Sequence, residues 1–89
     1  MNICRRAIVK GRVQGVFYRQ NTVNQAKNRH LTGWVKNLEN GDVELVVCGP
    51  EADVESLCEW LWQGPSAAKV TDVKIIEELF QVFEGFKIV

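Results

Sequence analysis

Glu39-Asn40-Gly41 lies between two apolar runs, residues 33–38 and 42–48, and no other feature constrains the fold of this chain as tightly. An Asn-Gly pair tolerates the positive φ angles of a tight hairpin turn, so the two runs read as antiparallel strands. In the second run Val43, Leu45 and Val47 alternate with Glu44, Val46 and Cys48, a period of two that buries one face of the hairpin. On the N-terminal side, residues 3–10 read as a strand. Arg5, Ala7 and Val9 fall on one face, and Cys4, Arg6, Ile8 and Lys10 on the other. Residues 20–29 then read as a helix with a thin apolar stripe, Val23 and Ala26, to which Tyr18 or Phe17 adds core contact. On the C-terminal side, Gly49-Pro50 ends the third strand and residues 51–63 read as a second helix. Its apolar face is Val54, Leu57, Cys58 and Leu61, at i, i+3, i+4 and i+7. Gly64-Pro65 stops that helix, residues 70–77 form a further strand and residues 86–88 a last short one.

A hairpin framed by a strand and a helix on each side is β-α-β-β-α-β, the α+β, ferredoxin-like split βαβ order. In that topology the first and third strands run side by side in the centre of an antiparallel sheet, and both helices cover one face. The loop after the first strand then emerges beside the start of the hairpin, near Asn37. With 89 residues there is material for one modest core and one domain.

Eleven basic and eleven acidic residues cancel, which counts against a nucleic-acid partner because phosphate backbones select basic surfaces. No apolar stretch reaches the length of a membrane span, and Met1-Asn2-Ile3-Cys4-Arg5-Arg6 does not open a signal peptide. A cytoplasmic monomer is the resulting expectation. Three cysteines without a Cys-x-x-Cys pair, and one histidine, offer no metal-ligand spacing, so neither metal nor other cofactor is expected.

The chemistry concentrates in Gly11-Arg12-Val13-Gln14-Gly15-Val16-Phe17-Tyr18-Arg19. An apolar strand leads in and a polar helix leads out. Glycines at such a turn let successive backbone N–H groups converge on one anion, and the helix dipole adds partial positive charge. Arg19 supplies a permanent charge in a planar fork suited to phosphate oxygens. The residues after Gly15 are not Lys-Ser/Thr, so this is no nucleotide P-loop, and the three-glycine dinucleotide pattern is also missing. A ligand smaller than a nucleotide, or one held by its phosphate end, fits. Asn37 is the second informative residue, since asparagine is disfavoured inside a strand. Either it begins the turn toward Asn40-Gly41, or its amide holds a water beside a bound phosphate.

The loop motif, followed by Gly33-Trp34-Val35-Lys36-Asn37, resembles the acylphosphatase family, and the likeness extends over essentially the whole chain through Asn40-Gly41, Gly49-Pro50, Glu59-Trp60-Leu61 and Phe86-Lys87-Ile88. The resemblance implies hydrolysis of acyl phosphates, mixed anhydrides of a carboxylic and phosphoric acid, to carboxylate and inorganic phosphate. It implies that Arg19 and the backbone of Gln14, Gly15, Val16, Phe17 and Tyr18 bind the phosphoryl oxygens, and that Asn37 positions the attacking water. Such a substrate is already activated and its carboxylate leaves without a strong acid, so charge neutralisation and one aligned water suffice.

Arg29-His30 departs from the family's pattern of an apolar residue and then glycine. His30 is expected to end the helix in a left-handed conformation rather than to act as a base. Cys4 and Cys48 come level on the open face if their strands are antiparallel neighbours. A disulfide is geometrically conceivable there, and free thiols are the expectation in a reducing cytosol. Cys58 reads as a buried helix residue, Trp34 and Trp60 as core or near-core, and Trp62 as exposed. Lys10, Arg12 and Lys36 surround the site in this reading; either they raise its positive potential or at least two of them are ordinary solvated strand-end charges. The competing function is a non-catalytic module binding a phosphorylated ligand, since this order of elements hosts many functions. An RNA-recognition domain fits poorly, as Lys10-Gly11 is followed by Arg12-Val13 rather than aromatics.

Overall fold

A computed structural model describes residues 1–89. The chain runs β1 (Asn2–Arg12), α1 (Tyr18–Asn28), β2 (Thr32–Asn37), β3 (Val43–Pro50), α2 (Glu51–Leu61), β4 (Lys69–Glu78) and β5 (Phe86–Ile88). The sheet order is β4-β1-β3-β2-β5, so β1 and β3 are central, as the split βαβ reading requires. All pairings are antiparallel except β2 with β5, where Gly33, Trp34 and Val35 lie opposite Phe86, Lys87 and Ile88.

Alternation along the strands sorts the two faces. Ala7, Val9, Val35, Val43, Leu45, Val47 and Val73 pack under the helices with Val54, Leu57 and Leu61 of α2 and Val23 and Ala26 of α1. Helix α1 begins two residues earlier than its periodicity suggests and recruits Tyr18, whose ring is buried and whose hydroxyl donates to the Leu61 carbonyl at 2.7 Å. Burial pushes that phenol's pKa above its ordinary value. The Tyr18 and Trp60 rings sit 5.8 Å apart, centroid to centroid, which couples the start of α1 to the end of α2.

The end of α1 follows the expectation. His30 is left-handed (φ 56°), its N–H donates to the Lys27 carbonyl, and the Leu31 N–H donates to the Ala26 carbonyl. That is a Schellman closure, with Leu31 supplying the buried apolar contact.

Several readings are corrected. Cys4 and Cys48 are disulfide-bonded, not free thiols: they face each other directly in the β1–β3 register, with Cα atoms 4.1 Å apart. Nor is the open face bare at that point, since Cys4, Val46 and Cys48 are buried and packed against Trp34 and Phe83. Gly11 does not belong to the anion loop. It lies within β1 at the irregularity where β1 shifts register against β4, with φ 121° and no room for a Cβ, which would sit 2.2 Å from the Lys69 carbonyl oxygen. Lys10 and Lys36 turn to the open face, where Lys10 pairs with Asp42 (2.7 Å) and Lys36 with Glu44 (3.7 Å). Arg6 pairs there with Glu44 and Glu78, and both Arg6 and Lys36 stack over Trp34. Trp34 is thus part of the open-face cluster, while Trp62 is exposed as read. Cys58 is only partly buried and free; burial pushes its thiol up to about 11, against the nearby Arg5 guanidinium.

Candidate active site

The β1–α1 loop folds back against the β2–β3 hairpin because Gln14 fastens it there. The Gln14 side-chain amide donates to the carbonyls of Leu38 and Asp42, each at 2.8 Å. Asp42 is fixed in turn: its backbone N–H donates to Asn40 Oδ1 (3.0 Å) and its carboxylate accepts from Lys10. The hairpin turn and the loop are therefore one braced unit. A cleft of about 270 Å³ opens beside it, just below the usual range for drug-sized ligand sites. It is lined by Gly15, Arg19, Gln20 and Asn37 and by four apolar or aromatic residues, Val13, Phe17, Tyr18 and Ile88.

Two positive φ angles bend the loop, Gly15 at 75° and Phe17 at 64°. Phe17 is the residue before α1 and provides no side-chain cap, and the first turn of α1 holds no acidic residue. The backbone N–H groups from Gly15 through Gln20 have no acceptor in the chain. The first backbone bond of the helix is from Asn21 to the Phe17 carbonyl at 3.0 Å. Arg19 projects from the same turn, half-buried, and makes neither an ion pair nor a hydrogen bond within the chain. Asn37 sits on the helix-side face of β2, opposite Val43, and its Oδ1 is buried without a hydrogen-bond partner. Buried polar atoms are nearly always satisfied, so such an atom at the wall of a cleft is one that awaits a guest.

The structure thus brings Gly15, Phe17, Tyr18, Arg19 and Asn37 together around one space. Gln14 and Val16 do not line it: the Gln14 side chain is spent on the hairpin and Val16 is buried in the core. Only their backbones are left to face a ligand. Ile88, Val13 and Gln20 join the lining without having been singled out. Ile88 arrives through the parallel β2–β5 pairing, for which nothing local in the sequence gives a signal. Gln20 becomes a first-turn residue once the helix starts at Tyr18, and Val13 lies inside the loop motif.

The electrostatics of this space are one-sided. The lining includes a guanidinium and residues of a helix N-terminus whose N–H groups lack acceptors, and no carboxylate. Such a lining is chemically suited to a compact anion with an apolar neighbour.

Comparison with known proteins names the class that this fold and cleft define. The acylphosphatase family model matches residues 5–88. The acylphosphatase of Vibrio parahaemolyticus is 48% identical over 99% of both chains. Among solved structures, an acylphosphatase from Coxiella burnetii superposes with a TM-score of 0.96 at 43% identity, covering 99% of this chain and 93% of that one. The acylphosphatase of Bacillus subtilis gives 0.94 at 40% identity, covering 100% and 99%. The chain belongs to the acylphosphatase family. It is an enzyme that hydrolyses acyl phosphates, and nothing in these likenesses favours a binding module without turnover.

Proposed function

We propose that Arg19 and Asn37 divide the work of acyl phosphate hydrolysis in this cleft. Arg19 and the backbone N–H groups of residues 14–18 hold the phosphoryl oxygens, and the Asn37 amide orients the water that attacks phosphorus. Phosphoryl transfer needs little covalent help from a protein; positioning and neutralisation of the equatorial oxygens supply most of the acceleration. The carboxylate departs as a stable anion, and the water's proton passes to the substrate's own phosphate oxygen.

The observation that carries this reading is that one cleft is lined by residues of the loop whose N–H groups, Gly15 to Gln20, lack acceptors, by an uncommitted Arg19, and by Asn37 with its unpartnered Oδ1. The reaction runs without metal, because the donor set around the cleft is cationic and amide-based and so suits an anion rather than a cation. Residues 1–89 act as one domain, as a monomer in the cytoplasm, with neither nucleic acid nor membrane as partner.

Hydrolysis of a simple aryl acyl phosphate, followed with and without a chelator, tests this. Turnover should be unchanged by the chelator, and inorganic phosphate should inhibit competitively. Loss of activity on chelation would refute metal independence, and non-competitive phosphate would place the anion elsewhere.

A further inference from the structure

One polar side chain beside the cleft donates only to groups that already have partners. The Leu38 carbonyl accepts from the Gly41 N–H at 3.2 Å, and the Asp42 carbonyl from the Leu38 N–H at 2.8 Å. The Gln14 amide gives each of them a second hydrogen bond, at 2.8 Å. A carbonyl with one donor is already satisfied, so the hairpin does not need Gln14 for its own bonding. The loop does not need it for attachment either, because Val13 and Val16 on either side of it are buried in the core.

What the two bonds add is direction. Leu38 follows Asn37 on one side of the hairpin, and Asp42 precedes Val43, the residue opposite Asn37, on the other. The two hydrogens of one NH2 group thus bridge both sides of the hairpin, one residue beyond the pair that contains Asn37. Gln14 in turn immediately precedes the Gly15–Gln20 run of N–H groups without acceptors. Apolar contacts at Val13 and Val16 hold the loop down without orienting it, whereas a pair of hydrogen bonds sets distance and angle. The anchor is itself fixed, since the Asp42 carboxylate accepts from Lys10 and Asn40.

Resting on the assignment of the phosphate to the loop and of the water to Asn37, we propose that Gln14 is a positioning residue for the reaction. Its side chain sets the separation between the loop that holds the phosphoryl group and the strand whose Asn37 holds the attacking water. Arg19 and the loop N–H groups belong to one segment and Asn37 to another. When the clamp is lost, the phosphate site keeps its shape and the water loses its line of attack. Misplacing a reacting group by about 1 Å costs about 10²-fold in rate.

The test is a double-mutant cycle on kcat, combining Gln14 variants with Asn37→Ala, beside the Ki for inorganic phosphate. Gln14→Met keeps the length and removes the donors; Gln14→Glu keeps the shape and puts accepting oxygens in their place. Each should lower kcat by about ten- to hundred-fold and move the phosphate Ki by less than about two-fold. On the Asn37→Ala background, where no water is held, the same changes should add less than about two-fold. Gln14→Met should melt close to the wild type, and its unfolding at the assay temperature would make Gln14 a structural residue and overturn the proposal. An equal fall in kcat on both backgrounds overturns it too, as does a phosphate Ki that rises as far as kcat falls. Wild-type kcat in either Gln14 variant overturns the clamp and leaves the phosphate and water assignments standing. Wild-type kcat in Asn37→Ala instead overturns the water assignment on which the clamp rests.

Discussion

Helices α1 and α2 are equal in length, 11 residues each, cover the same face of the sheet, and begin in opposite ways. Helix α2 follows Pro50 in an ordinary extended conformation, carries Glu51 and Asp53 in its first turn, and gives its Glu51 N–H to the Met1 carbonyl at 3.0 Å. Its positive end is answered from within the chain. Helix α1 follows a left-handed Phe17, has no acidic residue in its first turn and leaves its leading N–H groups free. Neither start has a side-chain cap, and a left-handed bulky residue costs α1 roughly 1–2 kcal/mol. The burial of Tyr18 and its bond to Leu61 offset that loss from behind the helix end, leaving the front open. A helix start built only for stability looks like that of α2. The start of α1 leaves its donors and Arg19 without partners in the chain, which is what the proposed phosphate site requires.

Removing the guanidinium that completes this open end is the harshest way to break the contrast. Arg19→Ala should lower kcat/KM by about 10³-fold or more, the scale of arginine contributions to phosphoryl transfer. Its melting temperature should stay near that of the wild type, since Arg19 has no partner in the chain to lose. Arg19→Lys should fail almost as badly, because an ammonium cannot reproduce the bidentate fork. A fall in stability matching the fall in rate would make Arg19 a structural residue and equate the two helix starts.

Asn37→Ala comes next. With its Oδ1 buried and unpartnered, the side chain contributes little to folding, and its removal relieves a desolvated polar atom. The expected result is a drop in kcat of about 10²- to 10³-fold, comparable to losing one positioned donor or acceptor in a transition state. Stability should be unchanged or slightly higher, and the Ki for phosphate near the wild-type value. Thermal melts beside steady-state kinetics decide it. Destabilisation with near-normal kcat would return Asn37 to the role of a turn-starting residue.

The contrast between the helix starts was half legible in the sequence. Pro50, Glu51 and Asp53 are local signals and place the start of α2 correctly. The start of α1 lies two residues before its periodic stretch because it depends on the φ of Phe17, which no pattern of apolar residues encodes. The hairpin and the central β1–β3 pair follow from alternation alone, and with them the meeting of the loop and Asn37. What stayed hidden depends on distant chain. Ile88 reaches the cleft by parallel pairing, and Gly11 is fixed by the shifted register against β4. Lys10 and Lys36 lie near the site in sequence but are paired on the other face, which alternation along β1 already implied for Lys10; their partners, Asp42 and Glu44, come from the hairpin and were not legible locally. For the cysteines, an expectation based on compartment gave way to register: direct opposition in neighbouring strands brings the sulfurs together. Closing a loop of 44 residues of separation in this way contributes about 4 kcal/mol in the chain-entropy account.

The smallest effects sharpen the comparison most, because they exchange the characters of the two helix starts. Gln20→Glu places a carboxylate in the first turn of α1, as Asp53 does in α2. It should stabilise the protein by about 0.3–1 kcal/mol, and raise the Ki for inorganic phosphate by about five-fold through repulsion at short range. The Ki effect should shrink in high salt, since the site is open to solvent. Asp53→Asn should do the reverse for the other helix, lowering stability by no more than about 1 kcal/mol and leaving the Ki alone. If Gln20→Glu stabilises the fold without weakening phosphate binding, the free end of α1 is not where the anion sits. If both variants move the Ki equally, the field of the whole molecule rather than the local N-terminus is what the phosphate feels.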